Sequence, residues 1–362
     1  MKDDIKTKNN LLIDFPLFVI NFFVIVFSII GVFSYLMPSL LLSIICSFII
    51  PLLFVANIIL LVIKSYQRRY FSAFLNVVCA VFIGSIIFSF SPLKNIFNSG
   101  NNETNKQSSI NVASYNVCAF NRYNIHEESA MDIAFWVQEH EPELDVIAFQ
   151  EYSICKNDDN FYNHFSREYN IATSLTPTTR GISDGLAIMT KYPILNTKRF
   201  NTEDSVTYMM YCDLKIESDT IRVFNAHLQS TFINQNIKGI ASSTSMANKK
   251  IINLAVSLLE NSKIRHHQAD SIAHTIAASP YKVLVCGDIN DTPTSYTYNR
   301  IKGELKDSFY EAGFGYSNTY FGYYKTQRID NIFASQSFKL SDYHSPSVIH
   351  SDHKPVVVKI NF

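Results

Sequence analysis

The chain has 362 residues, 47% of them hydrophobic, and its 31 basic and 31 acidic side chains leave no net charge. That length exceeds one ordinary domain, and the even balance argues against a protein that grips long stretches of nucleic acid by bulk basicity. Cys46, Cys79, Cys118, Cys155, Cys212 and Cys286 form no C-x-x-C pair and no regular framework. They indicate neither a thiolate zinc site nor a disulfide scaffold and read as small buried hydrophobes.

Composition changes near residue 100. Only seven basic and three acidic residues lie in 1–100, leaving 24 basic and 28 acidic beyond it. Apolar stretches at about 11–36, 40–63 and 71–90 each approach the ~20 residues a helix needs to cross the hydrocarbon of a bilayer. Asp14, at an edge, is the one charge inside them. The first run is too long for the h-region of a cleaved signal peptide, and two more follow it. Residues 1–92 therefore read as a membrane anchor of three transmembrane helices. Lys2, Lys6 and Lys8 precede the first span and Lys64, Arg68 and Arg69 separate the second from the third, whereas Met37-Pro38-Ser39 carries no charge. This places the N-terminus and the second loop in the cytoplasm and sends everything after the third span to the other side. Residues 93–109 are polar and Asn-rich and read as a linker.

Beyond the linker, in 110–362, short β-rich runs alternate with helical or polar stretches. Residues 110–115, 146–149, 186–190, 207–216, 221–226, 283–286, 329–334 and 356–360 read as strands, and 130–140 and 246–278 as helices. Two sheets packed together with helices outside account for this order. The informative positions are the strand ends, because loop residues held by a rigid sheet are where catalytic groups are placed. Asn116 follows INVASY, Glu151 follows DVIAFQ, His227 follows IRVFNA, and Asp288 and Asn290 follow KVLVCG. Asp330 stands in QRIDNIF, and Asp352-His353 precede KPVVVKI. Seven such coincidences are too many for chance turn residues.

The ordered set SYN, FQE, NAHL, GDIN, RIDN and SDHKP resembles the endonuclease/exonuclease/phosphatase superfamily over about 110–362. GDIN and SDHKP carry most of its specificity. The resemblance implies an α+β fold, a four-layer α/β/β/α sandwich of the DNase I-like kind preceded by the three transmembrane helices, with the active site at one end of the paired sheets. It also implies a hydrolase acting on phosphate esters.

Hard oxygen ligands with few histidines suit Mg²⁺ or Mn²⁺ better than zinc. Asn116, Glu151 and, by resemblance, Asp352 are the expected metal residues. Asp288 and Asn290 share one face of an extended segment and are expected to orient water and hold a phosphoryl oxygen. By resemblance His353 is paired with Asp330, and His227 is the second histidine of the catalytic set. Arg180 and Asn225 are expected substrate contacts, Arg180 because the guanidinium fork fits phosphate, with surface solvation in the TPTTRGISDG loop as its alternative. Lys191 lies in the same part of the chain as Arg180. Cys118 and Asn331 depart from residues common in relatives. His266, His267 and His274 read as an exposed helix surface. The aromatic segment 309–324 reads first as core and edge packing, with a lipid-facing role as the alternative.

The expected partners are a phosphate-ester substrate, either a lipid head group or nucleic acid, and the bilayer itself; no protein partner is indicated. The expected place is a bacterial inner membrane with the catalytic domain periplasmic. An extracytoplasmic nuclease and a catalytically inactive, membrane-tethered binding module are the competing readings, the second disfavoured by the intact polar set.

Overall fold

The computed structural model describes residues 2–37, 41–92, 95, 108–120, 128–155, 160–178, 182–203, 206–230, 247–321, 327–348 and 350–362. They fall into two compact units, 1–89 with 294–299 and 90–293 with 300–362.

The first unit contains α1 (Lys2–Leu36), α2 (Leu41–Tyr66) and α3 (Tyr70–Phe88). Within them Asp14–Leu36, Ile49–Tyr66 and Tyr70–Phe88 are long and apolar enough to cross a membrane. Large apolar side chains such as Phe18, Phe33, Val62, Phe71 and Phe82 are exposed on its surface, the reverse of a soluble bundle. Its interior instead holds polar pairs between helices. Asn76 donates to Asn21 at 2.8 Å and Asn57 to Ser28 at 2.8 Å, while at the exposed end Arg69 donates to Asp14 at 2.6 Å. Side-chain hydrogen bonds of this kind fix which helix faces meet where lipid supplies no hydrophobic drive.

The second unit contains β1 (Ser109–Asn116), α4 (Glu128–His140), β2 (Leu144–Cys155), α5 (Asn160–Phe165), β3 (Asn170–Pro177), β4 (Ile182–Thr190), β5 (Ile194–Asn201), β6 (Thr207–Ile216) and β7 (Asp219–His227). There follow α6 (Ala247–Ala277), β8 (Lys282–Asp288), α7 (Tyr296–Lys302), whose residues up to 299 belong to the first unit, β9 (Lys306–Asp307), α8 (Ser308–Ala312), β10 (Asp330–Ala334), β11 (Lys339–His344) and β12 (Val356–Asn361). Among the described residues the strands form two six-stranded sheets, ordered β11-β12-β1-β2-β4-β3 and β5-β6-β7-β8-β10-β9.

Strand alternation builds the layers. Val112, Val146, Ala148, Leu186 and Ile188 of the first sheet meet Met210, Cys212, Leu284, Cys286 and Ile332 of the second in one apolar core. The alternate residues Ala113, Tyr115, Ile147 and Phe149 pack outward against Ile133, Ala134 and Val137 of α4 and Phe161 and Phe165 of α5. Helix α6 accompanies the second sheet, with Ala269 and Ile272 buried and Ser271 bonded to the Tyr208 hydroxyl at 2.9 Å. This is the DNase I-like α+β sandwich. Buried polar links cross between the sheets, Ser174 of β3 to Thr207 of β6 at 2.7 Å among them. Gln150 of β2 donates to Asn225 of β7 at 2.7 Å, and the Asn225 amide donates to the carbonyls of Phe149 and Ala187, each at 2.9 Å.

The structure contains strands that the apolar pattern does not mark, and they are edges. β5, sequence ILNTKRFN, is mostly exposed, and β11 is exposed at alternate positions; polar residues on an edge satisfy water and discourage pairing with other chains. β2 runs past the expected stop at Phe149 because it continues through an irregularity at Glu151.

Candidate active site

Parallel and antiparallel register brings the strand ends together. β7 and β8 are parallel with His227 opposite Asp288, and β10 is antiparallel to β8 with Asp330 also opposite Asp288. In the other sheet β1 and β2 are parallel with Asn116 opposite Gln150. Three residues of the second sheet and two of the first thus converge at one end of the sandwich. Gly287 makes this possible: a Cβ there would stand 2.3 Å from the carbonyl oxygen of Ala226.

Local backbone aims two of the side chains. Glu151 has φ of 50° and sits where the β2–β4 register shifts between Gln150 and Tyr152. A bulge of this kind turns one side chain out of the alternating pattern, and the left-handed conformation of a non-glycine residue is a strain that the surrounding sheet must hold. Asn290 has φ of 51°, a conformation that Asn tolerates better than most residues. Its N–H donates to Asp288 Oδ1 at 2.8 Å and its Nδ2 to the Leu228 carbonyl at 2.9 Å, which ties the turn after β8 to the turn after β7.

The centre is Asp288, with 1% of its side chain exposed. Asn116 Nδ2 donates to its Oδ2 at 3.0 Å, and the Nε2 atoms of His227 and His353 each stand 3.8 Å from that same oxygen. Behind His353, Nδ1 meets Asp330 Oδ2 at 3.0 Å. Burial pushes the Asp288 carboxyl up, to about 6, with the Asp330 charge adding and the two histidines opposing. Burial would push His353 down, but the Asp330 and Asp288 carboxylates outweigh it and hold the ring protonated, to about 10.

Above this buried layer lie two more open carboxylates. The side chain of Glu151 is 38% exposed and that of Asp352 47%. Glu151 Oε1 accepts from Asn116 Nδ2 at 3.1 Å and stands 3.5 Å from His227 Nε2. The Asn116 amide nitrogen thus bridges Glu151 and Asp288, while its oxygen accepts from the Cys118 N–H at 3.0 Å. Two carboxylates converging on one N–H donor form the environment that a divalent cation satisfies, and all are hard oxygens. Asp288, Asp330 and His353 also bring one ligand atom each within 4.8 Å of one another. In that buried trio, however, Asp330 and His353 already satisfy each other. The residues that could hold a metal are Glu151 and Asp352 at the mouth, with Asn116 and Asp288 beneath.

Not every expected residue joins the group. Asn225 is fully buried, and its amide hydrogens and oxygen serve Phe149, Ala187 and Gln150 between the sheets, so it contacts protein where a substrate contact was expected. Arg180 lies outside the described residues. Lys191 follows β4 at Thr190, which pairs with Val146, and therefore belongs to the opposite end of the sheet. His266 is buried, whereas His267 and His274 are exposed. Cys118 is half-buried; Cys212 and Cys286 are fully buried, and all three are free thiols.

Several residues that hold the site carry no sequence signal of their own. Arg265 of α6 has a fully buried side chain: Nη1 donates to the Gln229 carbonyl at 2.9 Å, Nη2 to Ser262 Oγ at 2.9 Å, and Nε stands 3.5 Å from Asp291 Oδ2. Gln268, one turn on, accepts from the Gln229 N–H at 2.9 Å. One helix thus clamps the turns bearing His227 and Asn290. Thr319 Oγ1 accepts from the N–H groups of Ile329 and Asp330, and its carbonyl accepts from Lys354 N. Tyr320 bridges His353, and their rings meet tilted by 51° with centroids 4.8 Å apart. The Ser351 hydroxyl donates to the Asn116 carbonyl at 2.7 Å and accepts from the His353 N–H.

A model of the Endonuclease/Exonuclease/phosphatase family matches residues 113–353. The fold is similar to a family protein from Bacteroides thetaiotaomicron, at 20% identity and TM-score 0.52, over 71% of this chain and 99% of that one. It is similar to another from Bacteroides vulgatus, at 16% identity and TM-score 0.51, over 71% and 100%. The human Nocturnin catalytic domain with bound sulfate is similar at 15% identity and TM-score 0.50, over 70% and 94%. No curated protein matches the chain in sequence.

Proposed function

The chain belongs to the Endonuclease/Exonuclease/phosphatase family, hydrolases of phosphate esters, and on that premise we propose that it is a divalent-metal-dependent phosphoesterase working at the surface of the membrane that anchors it. The observation carrying this reading is that His227 and His353, from separate segments, both aim Nε2 at one buried oxygen of Asp288, and that Asp330 backs one of them.

In the proposed reaction water attacks phosphorus in line with the leaving oxygen. Asp288 orients that water and accepts its proton, beside the His353 imidazolium that Asp330 holds in place. His227, beside Glu151 at the more open face, protonates the leaving oxygen. Asn290 and His227 steady the phosphoryl oxygens as negative charge develops, a task that preorganised donors perform without reorganisation. Glu151, Asn116 and Asp352 would hold Mg²⁺ or Mn²⁺, which supplies charge neutralisation at the phosphoryl group. Arg180 remains a proposed phosphate contact.

Three spans and the positive loop after the second support an extracytoplasmic catalytic domain, and the absence of a basic excess favours a lipid head group or small ester over nucleic acid. The test is turnover by the purified full chain in detergent with Mg²⁺, Mn²⁺ or EDTA, on phospholipids, sphingomyelin, DNA, RNA and bis-p-nitrophenyl phosphate. Metal-dependent turnover lost in Glu151→Ala and His353→Ala supports the reading and names the substrate class. A folded protein with no turnover on any of them leaves the tethered binding module.

A further inference from the structure

Among the described residues of the second unit, the most exposed large apolar side chains are Phe314 at 73% and Tyr316 at 69%. They stand together in the sequence GFGY, residues 313–316. Gly315 has φ of 69°, a left-handed conformation open to glycine, with no atom within 4 Å of where its Cβ would be. The two rings therefore stand largely in solvent on either side of Gly315, at the tip of this loop.

The base of this tip is tied to the chain that leaves the membrane. Asn95 Nδ2 donates to the Gly313 carbonyl at 2.8 Å and to the Tyr310 carbonyl at 3.3 Å. Helix α3 ends at Phe88. The seven residues from there to Asn95 span no more than ~25 Å even if fully extended. Whatever the disposition of the two units, the covalent chain keeps the base of the tip within that reach of the last residue of the third span. At its other end the same loop leads into Thr319 and Tyr320, which are zipped to Lys354 and His353. Phe314, Tyr316, Asn318 and Lys354 line one hollow of about 190 Å³.

We propose that residues 313–316 are a second membrane contact: Phe314 and Tyr316 insert into the interface of the anchoring bilayer and bring the loop carrying Tyr320, and with it the His353 face of the active site, to the head groups. The chemistry fits the place. Tyr316, a ring with a polar end, is favoured where hydrocarbon gives way to water, and Phe314 adds apolar area; Lys354, whose Nζ donates to Asn318 at 2.9 Å, puts a cation in the same hollow for an anionic head group. Leaving such rings exposed on a tethered domain is otherwise unfavourable. The proposal rests on the membrane anchorage read above, and its tie to a substrate rests on the phosphoesterase reading.

The test uses the full chain reconstituted in phosphatidylcholine vesicles with and without bromine on the acyl chains. Phe314→Trp adds an emission at the tip, and Leu195→Trp adds one at an exposed position on edge strand β5. The unsubstituted chain, with its single Trp136, supplies the background. The added Phe314→Trp emission is expected to fall at least ~2-fold in brominated vesicles, because interfacial insertion reaches ~5–10 Å into the head-group and acyl boundary. The Leu195→Trp emission is expected to stay. Equal behaviour at the two sites, quenched or unquenched, overturns the proposal. Circular dichroism of each variant checks the fold. Quenching needs no turnover, so a chain that is quenched at the tip but hydrolyses nothing overturns the enzymatic reading alone. If it is active, Phe314→Ala/Tyr316→Ala should lower turnover of vesicle lipid and spare bis-p-nitrophenyl phosphate.

Discussion

Arg265→Met removes the one guanidinium that joins α6 to both active-site turns. Its partner Asp291 is itself buried, so the variant takes the guanidinium away from a buried carboxylate and the Nη1 donor away from the Gln229 carbonyl. Breaking a buried pair from one side costs about 3–5 kcal/mol. Adding Asp291→Asn removes that charge, so the double variant should be less destabilised than the two single losses combined. The consequence reaches chemistry through Gln229, two residues after His227, and through Leu228, whose carbonyl holds Asn290. Misplacing a positioned group by about 1 Å can lower turnover by ~10²-fold. Arg265→Lys should not restore it, because an ammonium cannot reach two turns with a planar fork. Trp136 is the only tryptophan and lies in α4 of the catalytic unit. Urea unfolding of the full chain in detergent, followed by its fluorescence, therefore reports on this unit without signal from the three long apolar helices. Unfolding shifted by less than ~0.5 kcal/mol, together with unchanged kcat/KM, would refute the clamp.

Asp330→Asn keeps the shape behind His353 but removes the charge that outweighs its burial. Turnover of bis-p-nitrophenyl phosphate should drop by ~10²–10⁴-fold, and an unchanged rate would remove the pair from the mechanism. Gly287→Ala forces a Cβ against the Ala226 backbone and should destabilise the unit by ~1–3 kcal/mol or more, with activity falling as His227 and Asp288 part; wild-type melting and rate would show that the strands give way freely. His266 is buried, and that burial lowers its pKa below the ordinary 6.5. The unfolded chain thus takes the proton first, so the stability gained from a neutral His266 is present above pH 6.5 and is lost as pH falls toward the folded value. His266→Gln should flatten that acid limb of the melting curve, and an identical limb would assign the loss elsewhere.

How much of this was legible in the sequence depended on what each residue's neighbours could reveal. The core strands announced themselves because both faces are covered, as in Val283–Cys286 and Val356–Ile360. β5 and β11 did not, because an edge strand satisfies water on its free side and reads as loop. The polar residues at strand ends were visible because each follows an apolar run, and register then sets Asn116, His227, Asp288 and Asp330 close to one another. Arg265 was invisible for the opposite reason. A charged residue within KIRHHQAD reads as a solvated face, and only the tertiary fold shows two turns descending on it; His266 was misread in the same way. Asn225 was drawn into the substrate set by its place two residues before His227. In a strand, residues two apart share a face, but the one deeper in the sandwich meets the opposite sheet before it can meet a ligand.

That misplaced asparagine has a consequence for how the molecule keeps its shape. Two oily sheet faces can slide by the width of a side chain at modest loss, since one methyl contact replaces another. An amide pair cannot, because a shift of that size would leave buried N–H and C=O groups unmet, at ~1–3 kcal/mol each. Gln150 and Asn225 therefore act as a key between the sheets, much as a buried Asn fixes the alignment of two helices in a coiled coil. The key stands one residue from Glu151 and two from His227. An apolar replacement of both would leave the alignment to such bonds as Ser174 to Thr207 and Asn116 to Asp288, and the 3.5 Å approach of Glu151 to His227 should loosen.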